Sequence, residues 1–471
     1  KLPPCKTKIV ATIGPSSSFP EILEKMLLAG MSVARLNFSH GNFEQHAHHI
    51  HLLRQASQKT GVRLAILADL PGPKIRLGEI ANSPVELVPG NNFTITTDEI
   101  IGDNHRASTT FKKLPQVIHP GDKIFINDGL VQLEVISVDR NDVHCKVIVG
   151  GPISTRKGIN LPQIPLGISA FTDHDQTCLE FALRNGVEIV SQSFVESADD
   201  IRAVRAAATK LGASPLIIAK IERILALEKI DEILKEADGI MVARGDLGIE
   251  VPIERIAVLQ KNLISKARSM AKPIITATQM LESMTSSRIP TRAEATDVAN
   301  AILDGTDCVM LSAESASGNF PVESVQMLAK IAKEVEFYRE HNYTLTPQLS
   351  LPTSQETVRT RRALLVEHTL AVEDCQAVLV PTYSGQTARA IARHRLKSWI
   401  IALGNQETAL QQLCLSYGVF PLFVNSLPNN WNEFTTKLMQ QLNIPAKEVL
   451  LVFGKTHYSP TANERIELIV L

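Results

Sequence analysis

Aromatic residues are scarce in this 471-residue chain, at 5% of the total with two tryptophans, and its six cysteines stand singly at 5, 145, 178, 308, 375 and 414. No two of them form a CxxC pair, and all but Cys5 lie in or beside apolar segments. A disulfide framework or a zinc ribbon is therefore excluded, and buried free thiols of a reducing compartment are expected. Charge of one sign is missing as well. Forty-eight Lys and Arg face 49 Asp and Glu, a net charge of −1, without the basic excess that nucleic-acid binding requires. No apolar run approaches the ~20 residues of a membrane helix. The opening KLPPCKTKIV has neither an apolar stretch nor a small-residue cleavage site, so no secretory signal is read and a cytoplasmic location is expected. The first residue is Lys1 rather than Met, which leaves the true start open. The GxxxxGK[ST] loop and the GxGxxG fingerprint are both absent, so neither a P-loop ATPase nor a dinucleotide dehydrogenase is indicated.

What the chain has is apolar mass: 44% hydrophobic residues against 21% charged, enough for large cores. At about 150 residues per domain, its length suggests roughly three domains. Strand-like runs at Ile9–Ile13, Val33–Phe38 and Leu64–Asp69 alternate with helical spacing at Ile22–Ala29 and Glu44–Lys59. From about Leu70 to Pro162 the pattern turns to short alternating strands with turn signals, as at 85–88, 123–126 and 131–135. Alternation of strand and helix then resumes, with strands at Glu188–Phe194, Leu216–Ile221, Gly239–Ala243, Pro273–Thr278 and Cys308–Ser312. Three units before the insertion and five after it make eight, which predicts a (β/α)8 TIM barrel of residues 1–70 and 163–342 with a small β lid domain, 71–162, inserted after strand 3. A stretch bearing Pro and Ser, 343–355, reads as a linker. Five further strands over 356–471 predict a C-terminal open α/β sheet domain.

Barrel active sites lie at the C-terminal ends of the strands. Strand 2 ends in Arg35, Asn37, Ser39 and His40, and strand 3 in Asp69, followed by Lys74 and Arg76. Strand 5 ends in Lys220 and Glu222, strand 6 in Arg244, Gly245 and Asp246, strand 7 in Thr278 and Gln279, and strand 8 in Ser312 and Glu314. Six strands delivering cations, carboxylates and hydroxyls to one rim suit phosphoryl transfer on a small anion. Glu222 and Asp246 offer two hard oxygen ligands for Mg2+ or Mn2+, with room left for water and substrate oxygens. Arg35, Arg76 and Lys220 can neutralise a transferring phosphoryl group. The backbone around Gly245 can bind a carboxylate, and Thr278 and Ser312 can relay a proton through water.

The segments KTKIVATIGP (6–15), ARLNFSHG (34–41), AKIE (219–222), MVARGDLG (241–248), TATQMLESM (276–284) and VMLSAE (309–314) closely resemble the pyruvate kinase family, in order from Lys6 to about Glu340. The resemblance implies transfer of phosphate from phosphoenolpyruvate to ADP, giving ATP and an enolate that is protonated to pyruvate. By the same resemblance Lys220 stabilises the transferring phosphoryl group, and Glu222 and Asp246 hold the divalent metal. Lys220, Arg244, Gly245, Asp246 and Thr278 bind the substrate. Arg35 and Arg76 bind phosphate and, with Asn37 and His40, the nucleotide; Thr278 stands beside the enolate carbon, with Ser312 and Glu314 in the proton path. A second Mg2+ comes with ADP, and the usual assembly is a homotetramer.

One departure is informative. After strand 3 the chain reads LPGPKIR (70–76), with Lys74 where many members have a glutamate and need K+. A fixed ammonium beside the place for K+, among Asn37, Ser39, Asp69 and Leu70, would repel the ion and substitute for it, so no K+ requirement is expected. In the third domain TYSGQTA (382–388) resembles the effector loop, with Thr382, Ser384, Gln386 and Thr387 as contacts to an anionic effector. The terminal segment 454–464 lacks the glycine-rich loop common in the family, which weighs against a sugar phosphate there. His46, His48, His49 and His51 fall on an outer helix without an acidic partner and read as a solvated or partly packed face. Two other readings stay open at this point: a metal-dependent lyase of the phosphoenolpyruvate/pyruvate barrel group, and a catalytically silent paralogue.

Overall fold

The computed structural model describes residues 1–342, 358–454 and 465–471. Eight strands close a parallel barrel: β1 (Lys8–Thr12), β2 (Met31–Asn37), β3 (Ala65–Leu70), β4 (Ile189–Gln192), β5 (Leu216–Ile221), β6 (Gly239–Ala243), β7 (Ile274–Ala277) and β8 (Cys308–Leu311). Each pairs with its sequence neighbours, and β8 returns to β1 with Lys8 opposite Cys308. These strands read as runs of Val, Ile and Ala because both faces are covered, one by helices and one by the barrel interior. Val10, Val33, Leu67, Ile218, Met241, Ile275 and Met310 fill that interior, so it is a packed core and not a channel.

Local chemistry fixes where the helices begin. Asn42 caps helix α1 (Phe43–Thr60) and exchanges hydrogen bonds with Gln45, and Thr291 does the same with Glu294 at the helix Arg292–Asp304. Two short helices, Ile224–Glu228 and Ile230–Glu236, follow β5. ARGDLG, whose backbone around Gly245 was expected to bind a carboxylate, opens a short helix, α2 (Arg244–Glu250), that follows β6 without a break. Its glycines are tolerated because Leu247 anchors the helix in the core and burial outweighs propensity.

The inserted segment folds into a six-stranded sheet and a two-stranded one around its own core, which includes Phe93, Ile124, Leu133 and Val143. One short helix, Leu114–Val117, interrupts the β pattern. The third domain is a five-stranded sheet in the order β11 (Val419–Phe423), β10 (Trp399–Gly404), β9 (Ala377–Pro381), β12 (Glu448–Phe453) and β13 (Arg465–Val470), of which only β13 runs antiparallel to its neighbour. This domain plugs the foot of the barrel. Cys414 and Leu415 join the barrel's interior cluster, and buried Lys8 donates from Nζ to the Val419 carbonyl at 2.7 Å. All six cysteines are buried and unpaired. The segment read as a linker, 343–355, lies outside the described residues. Among the described residues no helix is long and apolar enough to cross a membrane.

Candidate active site

The C-terminal rim is built by the two-residue period of the strands. Arg35 and Asn37 on β2, and Lys220 on β5 followed by Glu222, lie two apart and so face the same way. Asp69 on β3 is the hub. Its Oδ2 accepts from Arg35 Nη2 at 2.6 Å, Arg35 Nε at 2.9 Å and Lys220 Nζ at 3.4 Å, while Oδ1 accepts from the Ser191 hydroxyl at 2.6 Å. Burial opposes the carboxylate's charge, but Lys220, Arg35 and the serine outweigh it and hold its pKa below the ordinary value. Lys220 is the counterpart. Burial lowers its pKa, and Asp69 and Glu222 more than restore it, so the lysine stays an ammonium. Its Nζ also donates to Ser193 Oγ at 2.7 Å and lies 2.8 Å from Glu222 Oε1. Two cations and two carboxylates thus form a buried, mutually neutralised set, which would be costly to break by removing one member.

Glu222 Oε2 accepts from the Phe194 backbone N–H at 2.7 Å. Asp246, at the start of α2, is pushed up to about 6, by burial first and by the charge of Glu222 next. Two carboxylates that repel each other in a desolvated rim are a donor set that a divalent cation relieves. Two hard oxygens with room for water and substrate oxygens also match the way Mg2+ binds. Among the described residues no cluster of three or more His, Cys, Asp or Glu is placed to hold a metal, so the remaining ligands would be water and substrate.

Thr278 follows β7 with φ of 66° and Gln279 with φ of 54°, left-handed positions that a β-branched residue rarely adopts. The strain is held from below. Arg244 donates to the carbonyls of Thr278 at 2.7 Å and Ala277 at 3.2 Å, and pairs with Asp297 at 2.7 Å. Arg244, expected to bind substrate, therefore has its guanidinium committed to positioning this loop. Gly245 N–H, expected to bind a carboxylate, donates to Thr278 Oγ1 at 2.8 Å. Ser312 N–H donates to Glu314 Oε2 at 2.7 Å, and Leu281 N–H to Glu314 Oε1 at 3.1 Å, so this buried glutamate ties the ends of β7 and β8 together.

The cation region expected around Asp69 is differently furnished. Both oxygens of Asp69 are engaged as above, and Asn37 Oδ1 accepts from Ser39 N–H at 3.1 Å. Leu70 ends β3 with its side chain buried. Lys74 exposes much of its surface, yet burial and then Arg76 lower its pKa, while Asp246 and Glu222 pull it up, so its ammonium shares the field of the metal carboxylates. His40 is lowered by burial and then by Lys74, Arg76 and Arg35, which places it on the same electropositive side. Arg76 sits at the root of the lid and donates to the Arg156 carbonyl at 2.9 Å. The lid's tip reaches the rim: a Cβ added at Gly129 would stand 3.7 Å from Ile249 Cγ2 on α2, and Asp128 adds to the field that raises Asp246.

Thr382, Ser384, Gln386 and Thr387 fall together at the turn from β9 into a helix, far from this rim in the fold. Thr382 Oγ1 accepts from Gly385 N–H at 3.0 Å, so this hydroxyl caps the turn. Residues missed by sequence reasoning are Thr12, which accepts from Arg35 Nη1 at 2.9 Å, Ser191 on β4 and Ser193 just after it. The signal was available in SQS (191–193) at a strand end, but small hydroxyls are common there and carry no charge to draw notice.

Comparison with known proteins agrees with this geometry. Family models described as "Pyruvate kinase, barrel domain" and "Pyruvate kinase, alpha/beta domain" match residues 5–325 and 363–463. The pyruvate kinase of Thermococcus litoralis is 47% identical over 435 residues, covering 92% of this chain and 91% of the relative. That of Geobacillus stearothermophilus is 42% identical over 418 residues, covering 88% and 71%. Among solved structures, a pyruvate kinase from Cryptosporidium parvum superposes with a TM-score of 0.92 at 32% identity, covering 99% of this chain and 96% of the other.

Proposed function

The chain belongs to the pyruvate kinase family, and on that premise we propose that the rim described above performs the family's phosphoryl transfer in glycolysis. The protein is a phosphotransferase that moves the phosphoryl group of phosphoenolpyruvate to ADP and depends on a divalent cation. The comparisons give no support to a carbon–carbon lyase. The single observation that carries the site assignment is the buried set Asp69, Arg35, Lys220 and Glu222, with Asp246 beside it.

In the reaction the bond from phosphorus to the enol oxygen breaks, a bond from phosphorus to the terminal ADP oxygen forms, and the enolate carbon takes a proton. Lys220 and Arg35, fixed by Asp69, present preorganised positive charge to the equatorial oxygens, with Arg76 entering from the lid root. Glu222 and Asp246 would hold Mg2+ or Mn2+, which supplies charge neutralisation when bound. The Thr278 and Ser312 hydroxyls stand on the side where the enolate is protonated, and Glu314 keeps the ends of their two strands in register. Asn37 and His40 lie on the nucleotide side. Lid closure excludes water from the enolate and from the phosphoryl group.

Lys74, in the field of Asp246 and Glu222, supplies the positive charge that K+ brings to other members. A homotetramer is in keeping with Ile253, Val258 and Ile289, which are more than half exposed on the outer barrel surface. A cytoplasmic location and an anionic effector at Thr382, Ser384, Gln386 and Thr387 complete the reading; no sugar phosphate is specified. The test is Lys220→Met. Removing the central ammonium should lower kcat by about 10^2 to 10^3, the cost of losing one transition-state donor, while phosphoenolpyruvate still protects the fold from heat. A kcat within about twofold of wild type, in a variant with an unchanged circular dichroism spectrum, would refute the assignment.

A further inference from the structure

The chain leaves the lid through residues that still belong to the lid's core. Leu161 and Ile164 are buried in that apolar cluster, and their carbonyl oxygens both accept from Nη2 of Arg223, at 2.9 and 2.8 Å. Arg223 comes directly after Glu222 beyond β5 and is only 3% exposed. The rest of its guanidinium serves the barrel. Nη1 pairs with Glu196, in the segment after β4, and Nε lies 3.5 Å from Oε1 of buried Glu250, the last residue of α2. One buried cation therefore joins the lid's root, the segment after β4 and α2. A planar fork with donors in several directions can do this, and the single point charge of a lysine cannot.

Both barrel partners lead to the carboxylates assigned to the metal. Two residues before Glu196, the Phe194 N–H donates to Glu222 Oε2 at 2.7 Å. Glu250 stands four residues after Asp246 on α2, one turn along the same face, and its Oε2 accepts from Ile224 N–H at 3.3 Å. The lid meets this seven-residue helix a second time, where Gly129 at its tip approaches Ile249. Burial raises the pKa of both Glu196 and Glu250, and Arg223 is the largest influence opposing it in each. The three charges depend on one another, so losing one member is costly.

We propose that Arg223 is a positioning residue for the phosphoryl transfer: it is the pivot that fastens the lid's root to α2 and to the segment after β4, so that the lid's position and the placement of Glu222 and Asp246 are set together. The proposal rests on the reading of Glu222 and Asp246 as the divalent-cation ligands. A lid turning about a fixed root moves its tip most and its root least, as a hinge does. Any displacement at that root passes through Arg223 and Glu250 into the helix that carries Asp246.

Mn2+ binding to the full chain without substrates, read by electron paramagnetic resonance, tests this together with amide hydrogen exchange over 159–166. Arg223→Lys and Glu250→Gln are each expected to weaken Mn2+ binding about tenfold, the usual cost of losing a residue that orients a metal ligand. Arg223→Lys should also speed exchange over 159–166, because the Leu161 and Ile164 carbonyls lose their shared donor. Asp246→Asn removes a ligand outright and should abolish the Mn2+ site; wild-type affinity in that variant would refute the metal assignment and the proposal with it. Loss of the site in Asp246→Asn beside unchanged Mn2+ affinity in folded Arg223→Lys or Glu250→Gln would overturn the proposal alone and leave Arg223 a structural tie, even with faster exchange at the root. Should Arg223→Lys fail to fold, Glu250→Gln decides by the same criterion.

Discussion

Asp69 shows how one residue sets the chemistry of the rim. Its two oxygens take four donors from three other strands, so removing it would loosen Arg35 and Lys220 together. Lys74 acts differently, through its field and not through a contact. Reversing its charge should create a place for a monovalent cation: Lys74→Glu in K+-free buffer is expected to lose activity at least about tenfold and to recover it on adding K+, since opposite charges attract across this partly desolvated rim. Indifference of the variant to K+, or strong K+ activation of the wild type, would contradict that role. The charged members of the site were legible in the sequence because Lys, Arg, Asp and Glu at strand ends are conspicuous. Thr12, Ser191 and Ser193 were not, because a hydroxyl two residues from a strand's end has the same meaning in any barrel until its partner is known. The commitment of Arg244 to the Thr278 loop was equally hidden, for it depends on Asp297 on a different helix.

Among the elements, the barrel strands were the most readable, since eight runs of Val, Ile and Ala admit few other folds. Helix α1 was readable as a helix, but the state of its histidines was not. His46 is buried and stacks on Phe38 with ring centroids 4.3 Å apart, and its Nε2 lies 3.0 Å from the His40 carbonyl, which requires the proton on that nitrogen. Nδ1 is left buried with no partner among the described residues. Burial accordingly lowers the pKa of His46, against the smaller raising effect of the His40 hydrogen bond. Below the unfolded value, near 6.5, the unfolded chain binds the proton more readily than the fold, so stability falls with pH until the depressed folded pKa is passed. The wild type should lose up to about 1.4 kcal/mol per pH unit more than His46→Gln in that window, as read from urea unfolding between pH 7 and 5. Parallel profiles for the two proteins would refute this account. The short helix α2 escaped sequence reasoning because its two glycines and its acidic start look like a loop. Tertiary burial of Leu247 decides it.

The whole molecule places the lid over one end of the barrel and the third domain under the other. The lid's tip approaches α2 at Gly129, while its roots pass through Gly72, whose N–H donates to Asp175 Oδ1 at 2.9 Å. Substrate must enter and product leave between tip and rim, so a reducible cross-link from the 127–130 loop to α2 should abolish turnover when oxidised and restore it on reduction. Full turnover in the cross-linked form would show that the lid does not open. How the third domain seals the barrel's foot, with Cys414 and Leu415 inserted and Lys8 bonded to Val419, could not be foreseen from the sequence, because those contacts join residues far apart in the chain, 107 positions for Cys308 with Leu415 and 411 for Lys8 with Val419. The most direct measurement is the rate of pyruvate formation from phosphoenolpyruvate by the purified protein with Mg2+ in K+-free buffer, with and without ADP. Turnover that requires ADP and yields one ATP per pyruvate is the predicted result; consumption of phosphoenolpyruvate at the same rate without ADP would contradict it.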